Sequence, residues 1–123
     1  MKKILIAEDD GALRNMYAHK LEPEFEIVEA KSGALTLKMI KNEKPDLVIL
    51  DLQFPDMSGI DVLKALKEDG VLEKLKVVVL TNLVDEETVQ KALKLGAREY
   101  LKKETLELSQ LHDVCVKHLG GAV

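Results

Sequence analysis

The chain has 123 residues, 46% of them apolar and 33% charged, which suits one folded domain with one core and excludes a disordered tail. A net charge of −4 with no basic cluster argues against direct nucleic-acid binding, and no apolar stretch approaches the roughly 18–20 residues that cross a bilayer. The opening "MKKILIAEDD" has an apolar run that acids close too soon for a signal peptide, and the one cysteine, Cys115, cannot form an internal disulfide. Both features fit a cytoplasmic protein with no membrane insertion.

Short apolar runs then alternate with helical spacing. "KILIA", Lys3–Ala7, reads as a buried strand, and Leu13, Met16, Tyr17 and Leu21 recur behind it at helical intervals. "FEIVEA", 25–30, is a second strand with interleaved charges, as expected nearer a sheet edge. "GALTLKMIKNE", 33–43, is a helix that stops before Pro45. "DLVIL", 46–50, is the third strand, and Ile60, Leu63 and Leu66 mark a third helix closed by Gly70. "KVVVL", 76–80, is the fourth strand. Asp85 suits the cap of the fourth helix, Glu86 and Glu87 its first turn, Val89, Ala92 and Leu93 its inner face, and Gly96 its left-handed end. "REYL", 98–101, is a short fifth strand, and Leu108, Leu111, Cys115 and Leu119 outline a last helix ending at Gly120-Gly121.

This is a (βα)₅ pattern. Near-continuous Val/Ile/Leu strands imply burial on both faces, hence a mostly parallel sheet covered by helices on either side. Right-handed crossovers leave few topologies, and the flavodoxin-like doubly wound order 2-1-3-4-5 is one of them. In such sheets ligands sit at the carboxyl ends of the strands where the order reverses, here between strands 1 and 3.

That rule selects the residues with chemistry. Strand 1 ends in Glu8-Asp9-Asp10, strand 3 in Asp51, strand 4 in Thr81-Asn82, and strand 5 is followed by Lys102-Lys103. Carboxylates about 4–5 Å apart repel by roughly 3–4 kcal/mol per pair at an effective dielectric near 20, so the cluster calls for a counter-charge. A hard, oxygen-seeking cation such as Mg²⁺ is the natural one. Acids, Mg²⁺, a lysine and a hydroxyl together handle phosphoryl groups by neutralising their oxygens. No Gly-rich loop follows strand 1, which disfavours a Walker or dinucleotide site, and the acidic "EDDGAL" disfavours a flavin phosphate.

With these pieces together, the chain resembles the receiver domain of two-component response regulators. The resemblance rests on "ILIAEDD", on "DLQFPDMSG" with Pro55 and Gly59 after Asp51, on "VVVLTN" and on "GAREYLKK", four pieces in order at the right strand ends. It implies that Asp51 is the phosphate acceptor. Glu8, Asp9 and Asp51 would hold Mg²⁺ together with the Gln53 backbone carbonyl. Lys103 would contact the phosphate, and Thr81 and Tyr100 would form the switch pair. Lys102 and Lys103 should point to opposite sides of an extended segment, and the family pattern selects Lys103, three residues after the aromatic. The same pattern selects Glu8 and Asp9 and leaves Asp10 as a flanking residue.

The implied function is a phosphorylation-dependent switch over a single receiver domain, 1–123, with no effector domain. It takes its phosphoryl group from a sensor histidine kinase or histidine phosphotransfer protein and signals to a separate effector protein through the fourth helix, fifth strand and fifth helix. Its only catalysis is its own phosphoryl transfer and dephosphorylation. One alternative is an Mg²⁺-dependent phosphatase with an aspartyl nucleophile, but Gln53 stands where such enzymes carry a second Asp. The other is a receiver-like interaction module that is never phosphorylated, which would be expected to have lost Asp51, Lys103 or an acid. Individually the residues have plainer readings. Asp51 can start a turn, the three acids can cap a helix, Thr81 can cap a loop, Tyr100 can be core, and Cys115 reads as a buried apolar group. His19, His112 and His118 lack metal-ligand spacing and read as surface residues. Glu104 replaces the family's usual Pro after the lysine, which predicts a trans Lys103–Glu104 peptide and a re-routed loop.

Overall fold

Each apolar run but the last leads through a helix to the next, the kind of crossover that parallel strands need. In the computed structural model, which describes residues 1–82 and 85–120, strands β1 (Lys3–Ala7), β2 (Glu26–Ala30), β3 (Leu47–Leu50), β4 (Lys76–Thr81) and β5 (Glu99–Lys102) form one parallel sheet in the order β2-β1-β3-β4-β5. Between and after them run α1 (Gly11–Leu21), α2 (Gly33–Glu43), α3 (Gly59–Glu68), α4 (Glu86–Leu95) and α5 (Leu108–Leu119). This is the doubly wound flavodoxin-like order expected from the sequence.

Strand side chains alternate between two cores. Leu5, Val48, Leu50, Val77 and Val79 pack with α2, α3 and α4, whose Ile40, Leu63 and Ala92 are buried among them. Ile4, Ile6, Ile49, Val78 and Leu80 pack on the other face with Tyr17 and Leu21 of α1 and Leu111 and Cys115 of α5. The helices begin where side chains satisfy their first N–H groups. Asp10 accepts from Ala12 and Leu13, Ser32 from Leu35, Ser58 from Asp61, Asp85 from Glu87, and Glu107 with Gln110 forms a capping box.

The structure departs from the sequence reading at several edges. Met16 is 44% exposed, because Tyr17, Ala18 and Leu21 carry the buried stripe of α1. β3 starts at Leu47: the Asp46 N–H donates to the Lys3 carbonyl at 2.8 Å, but the Lys3 N–H turns to the Asp46 carboxylate, also at 2.8 Å. β2 starts at Glu26, because the Phe25 N–H still donates to Leu21 at the end of α1. β5 lies one residue later than read, and 3-10 turns occur at Val71–Glu73 and Lys103–Thr105. Gly96 ends α4 at a positive φ of 131°, outside the left-handed helical region. His112 and His118 are half-buried, held 2.8 Å from Glu24 and Glu99. Gly121 lies outside the described residues.

Candidate functional site at the carboxyl rim of the sheet

The ladder continues one residue beyond β1 and β3. The Glu8 N–H donates to Ala30 and the Asp51 N–H to Ala7, each at 3.0 Å, so two acids stand on adjacent rungs where the strand order reverses. Both are buried, 3% and 4% exposed, whereas Asp9 between β1 and α1 is exposed. One oxygen from each of Glu8, Asp9 and Asp51 lies within 4.8 Å of the others. Asp10 is used elsewhere, as the cap of α1.

The lysine arrives from the opposite side of the rim. Lys103, the first residue after β5, places its ammonium 2.7 Å from Asp51 Oδ2 and in contact with Glu8 Oε1. Lys102 turns away and, among the described residues, pairs with Glu104 at 3.9 Å. Asp51 Oδ1 accepts from the Gln53 N–H at 3.1 Å, and Gln53 bridges to Ser58 across the loop. Gly59 closes that loop: a Cβ there would fall 2.5 Å from the Asp51 carbonyl oxygen, so only glycine lets α3 start this close to β3. Among the described residues the cis peptide is Glu22–Pro23, so Lys103–Glu104 is trans and leads into the 3-10 turn.

Electrostatics follow from this burial. Burial pushes the Glu8 carboxyl up to about 7, and the Asp51 charge adds to it against the opposing pull of Lys103 and the Asp10 N–H. Burial pulls the Lys103 ammonium down, but its bonds to Asp51 and Glu8 outweigh that and leave it above the ordinary lysine value. Glu8 Oε2 accepts from the Asp10 N–H at 3.1 Å, while the buried Oε1 touches Lys103 without receiving a well-formed hydrogen bond. An all-oxygen donor set and one lysine against three acids together fit a hard divalent cation.

Thr81 ends β4, fully buried, on the same face as Val79. Tyr100 pairs with Val79 in register and packs, half-buried, on the α2–α4 side. The two switch candidates therefore share one face on neighbouring strands. Two residues without a sequence signal tie the loops of the rim. Arg14 ties the turn after β1, donating to the Glu8 carbonyl at 2.8 Å and to Glu29 at 2.9 Å. Asp56 ties the loop after β3 to the start of α2. Their partners are remote in sequence or lie on the backbone, so neither spacing nor residue type pointed to them.

A family model for the response regulator receiver domain matches residues 4–115. The chain belongs to the receiver-domain family of two-component response regulators. This receiver is 35% identical to the chemotaxis protein CheY of Halobacterium salinarum over 83% of its own length and 84% of that protein. It is 29% identical to the sporulation initiation phosphotransferase F of Bacillus subtilis over 96% and 94%. A solved CheY-like receiver domain from Methanospirillum hungatei JF-1 superposes with a TM-score of 0.89 at 27% identity, covering 98% and 94% of the two chains. Receivers are phosphorylation-dependent signalling switches, not typical enzymes. They interact with histidine kinases and phosphotransfer proteins and bind Mg²⁺ through an acidic pocket. Among the described residues no helix is long and apolar enough to cross a membrane.

Proposed function

We propose that this receiver takes a phosphoryl group from a phosphohistidine onto Asp51 and passes the signal to a separate effector protein in the cytoplasm, without binding nucleic acid itself. The observation that carries the reading is the Lys103 ammonium bridging buried Asp51 and Glu8, with Asp9 beside them. Glu8, Asp9, Asp51 and the Gln53 backbone carbonyl would hold Mg²⁺. When bound, the ion supplies positive charge to the oxygens of the transferring group.

The Gln53 N–H fixes one oxygen of Asp51 and Lys103 holds the other, so the carboxylate is oriented before a donor arrives. A carboxylate oxygen attacks phosphorus in line. The new O–P bond forms as the P–N bond breaks, and its electron pair stays on the donor imidazole. Lys103 then exchanges a carboxylate oxygen for a phosphoryl oxygen. The acyl phosphate brings additional negative charge and acceptor oxygens to the rim. Thr81 donates to it, and Tyr100, on the same face, follows. The face formed by α4, β5 and α5 thereby changes.

The test is incubation with acetyl phosphate, or with beryllofluoride, with and without Mg²⁺, read by intact mass and NMR. Mg²⁺-dependent gain of one phosphoryl group in the wild type and none in Asp51→Asn is the expected result. Labelling of Asp51→Asn at the wild-type rate would overturn the assignment.

A further inference from the structure

At the other end of the sheet, between the second halves of α2 and α3 and the 3-10 turn at Val71–Glu73, lies a half-open cavity of about 940 Å³. Its floor is apolar: Ile40, Leu66 and Leu75 are buried, and Leu37 is half-buried. Its rim is cationic, with Lys38, Lys41, Lys44 and Lys74 facing a single acid, Asp69. None of these four lysines forms an ion pair with a described residue. Four lysines and one acid thus ring a single apolar hollow of a chain whose net charge is −4.

Two simpler causes do not cover this. The macrodipole favours cations at a helix C-terminus, which suits Lys41 in the last turn of α2. It does not explain Lys38, a turn earlier, or Lys74, beyond the 3-10 turn. Backbone geometry works against Lys44. This residue sits at φ 49°, ψ 59°, the left-handed position that usually belongs to glycine, and after α3 a glycine does take it, Gly70 at φ 73°. After α2 the strained position holds a lysine that lines the cavity.

We propose that this cavity binds a small amphipathic anion, an apolar chain or ring ending in a negatively charged group. The floor takes the apolar body, and the lysines take the charge. The volume is that of a small-ligand pocket, while a stable protein partner would need about 800 Å² of surface on each side. No residue of the phosphoryl site contributes to it.

The test titrates the isotope-labelled full chain with octanoate, with octanol as the uncharged counterpart, and with an acidic helical peptide, at low and high salt. Octanoate should shift the amide signals of Leu37, Ile40, Leu66 and Leu75 and bind more weakly as salt rises. Lys44→Gly and Lys38→Gln should each weaken octanoate about two- to fivefold. Ala65→Phe, which fills the cavity from the α3 wall, should abolish the shifts while the rest of the spectrum shows an intact fold. Four results would overturn the proposal: no localised shift at about 10 mM octanoate; octanol binding as well as octanoate; affinity unchanged in both lysine variants; or the peptide giving the same shifts at lower concentration, which would make this a protein-docking surface.

Discussion

Both carboxylate oxygens of Asp56 accept hydrogen bonds from consecutive N–H groups at the start of α2, Oδ1 from Gly33 and Oδ2 from Ala34, each at 2.9 Å. The loop carrying Asp51 and Gln53 is thereby clamped to a helix that contributes no side chain to the acid cluster. Met57 completes the joint by filling the space where a Cβ of Gly33 would go, its Sδ 2.9 Å from that point.

Gly33→Ala should therefore destabilise the fold by about 1–3 kcal/mol through overpacking against Met57. Met57→Ala in the same chain should return part of the loss, a coupling that urea melts of the double-mutant cycle would measure. The two N–H bonds to Ala34 and Gly33 lower the Asp56 carboxyl below its ordinary value. Its contribution is present above that value and disappears as pH falls through the lowered one. Asp56→Asn should accordingly be less stable than wild type at neutral pH, with the gap closing in acid.

Metal affinity should depend on pH through Glu8. Its carboxyl is pushed up to about 7, so near neutrality a proton competes with any cation for the same oxygen. Mg²⁺ affinity should rise from pH 6 to pH 8 and level off above, falling at most about tenfold per unit below 7. Without metal the sign reverses for stability. A raised carboxyl pKa favours the fold at low pH, and that advantage is lost between the ordinary value of 4.5 and about 7. Metal titrations followed by tyrosine fluorescence, with Glu8→Gln as the pH-flat reference, would check both signs.

Lys103→Met leaves Glu8 and Asp51 facing each other in a buried site. Removing one partner of a buried charge set costs about 3–5 kcal/mol, and we expect a loss toward that range at pH 8. At pH 5 the loss should be smaller, because Glu8 can take up a proton. Paired urea melts at the two pH values test this, and an equal loss at both would mean that packing of the lysine stem dominates.

Thr81→Ala should still accept phosphate on Asp51 but transmit less. Chemical-shift changes at Tyr100 and along α4 after beryllofluoride addition should shrink relative to wild type. Unchanged amplitudes on that face would remove Thr81 from the relay.

Cys115 is fully buried, and burial pushes its thiol up to about 12. It should resist iodoacetamide in the folded protein and react once urea unfolds the chain. Its alkylation rate then reports global opening without any engineered label.

The parts of this molecule legible in the sequence are those that repeat locally. "KILIA" and "GALTLKMIKNE" have the bounds read from them, because the apolar period and its stop signals lie within each segment. The rim was legible for a different reason: the topology sends the ends of β1, β3, β4 and β5 to one place whatever joins them. Contacts between distant residues were not legible. Asp56 lies 23 residues from Gly33, and Arg14 serves a backbone carbonyl that any residue type would offer. The two half-buried histidines escaped for the same reason, since their cover comes from Glu24 and Glu99 on other elements. The trans Lys103–Glu104 bond was foreseeable, because the cost of cis is a property of the residue type itself.

The backbone bonds that carry the ladder past β1 and β3 also set a timescale. Glu8 and Asp51, both buried, donate their N–H groups to Ala30 and Ala7 as extensions of the central ladder, so their amide hydrogens should exchange with solvent only when the whole domain opens. Asp9, one residue along and exposed, has no such bond and should exchange early. The backbone of Asp51 should thus open with the slowest cooperative unit, while that of Asp9 beside it should open early. If the rim binds a metal and a phosphodonor as proposed, Asp51 would hold its place on that timescale and Asp9 would be the acid free to adjust.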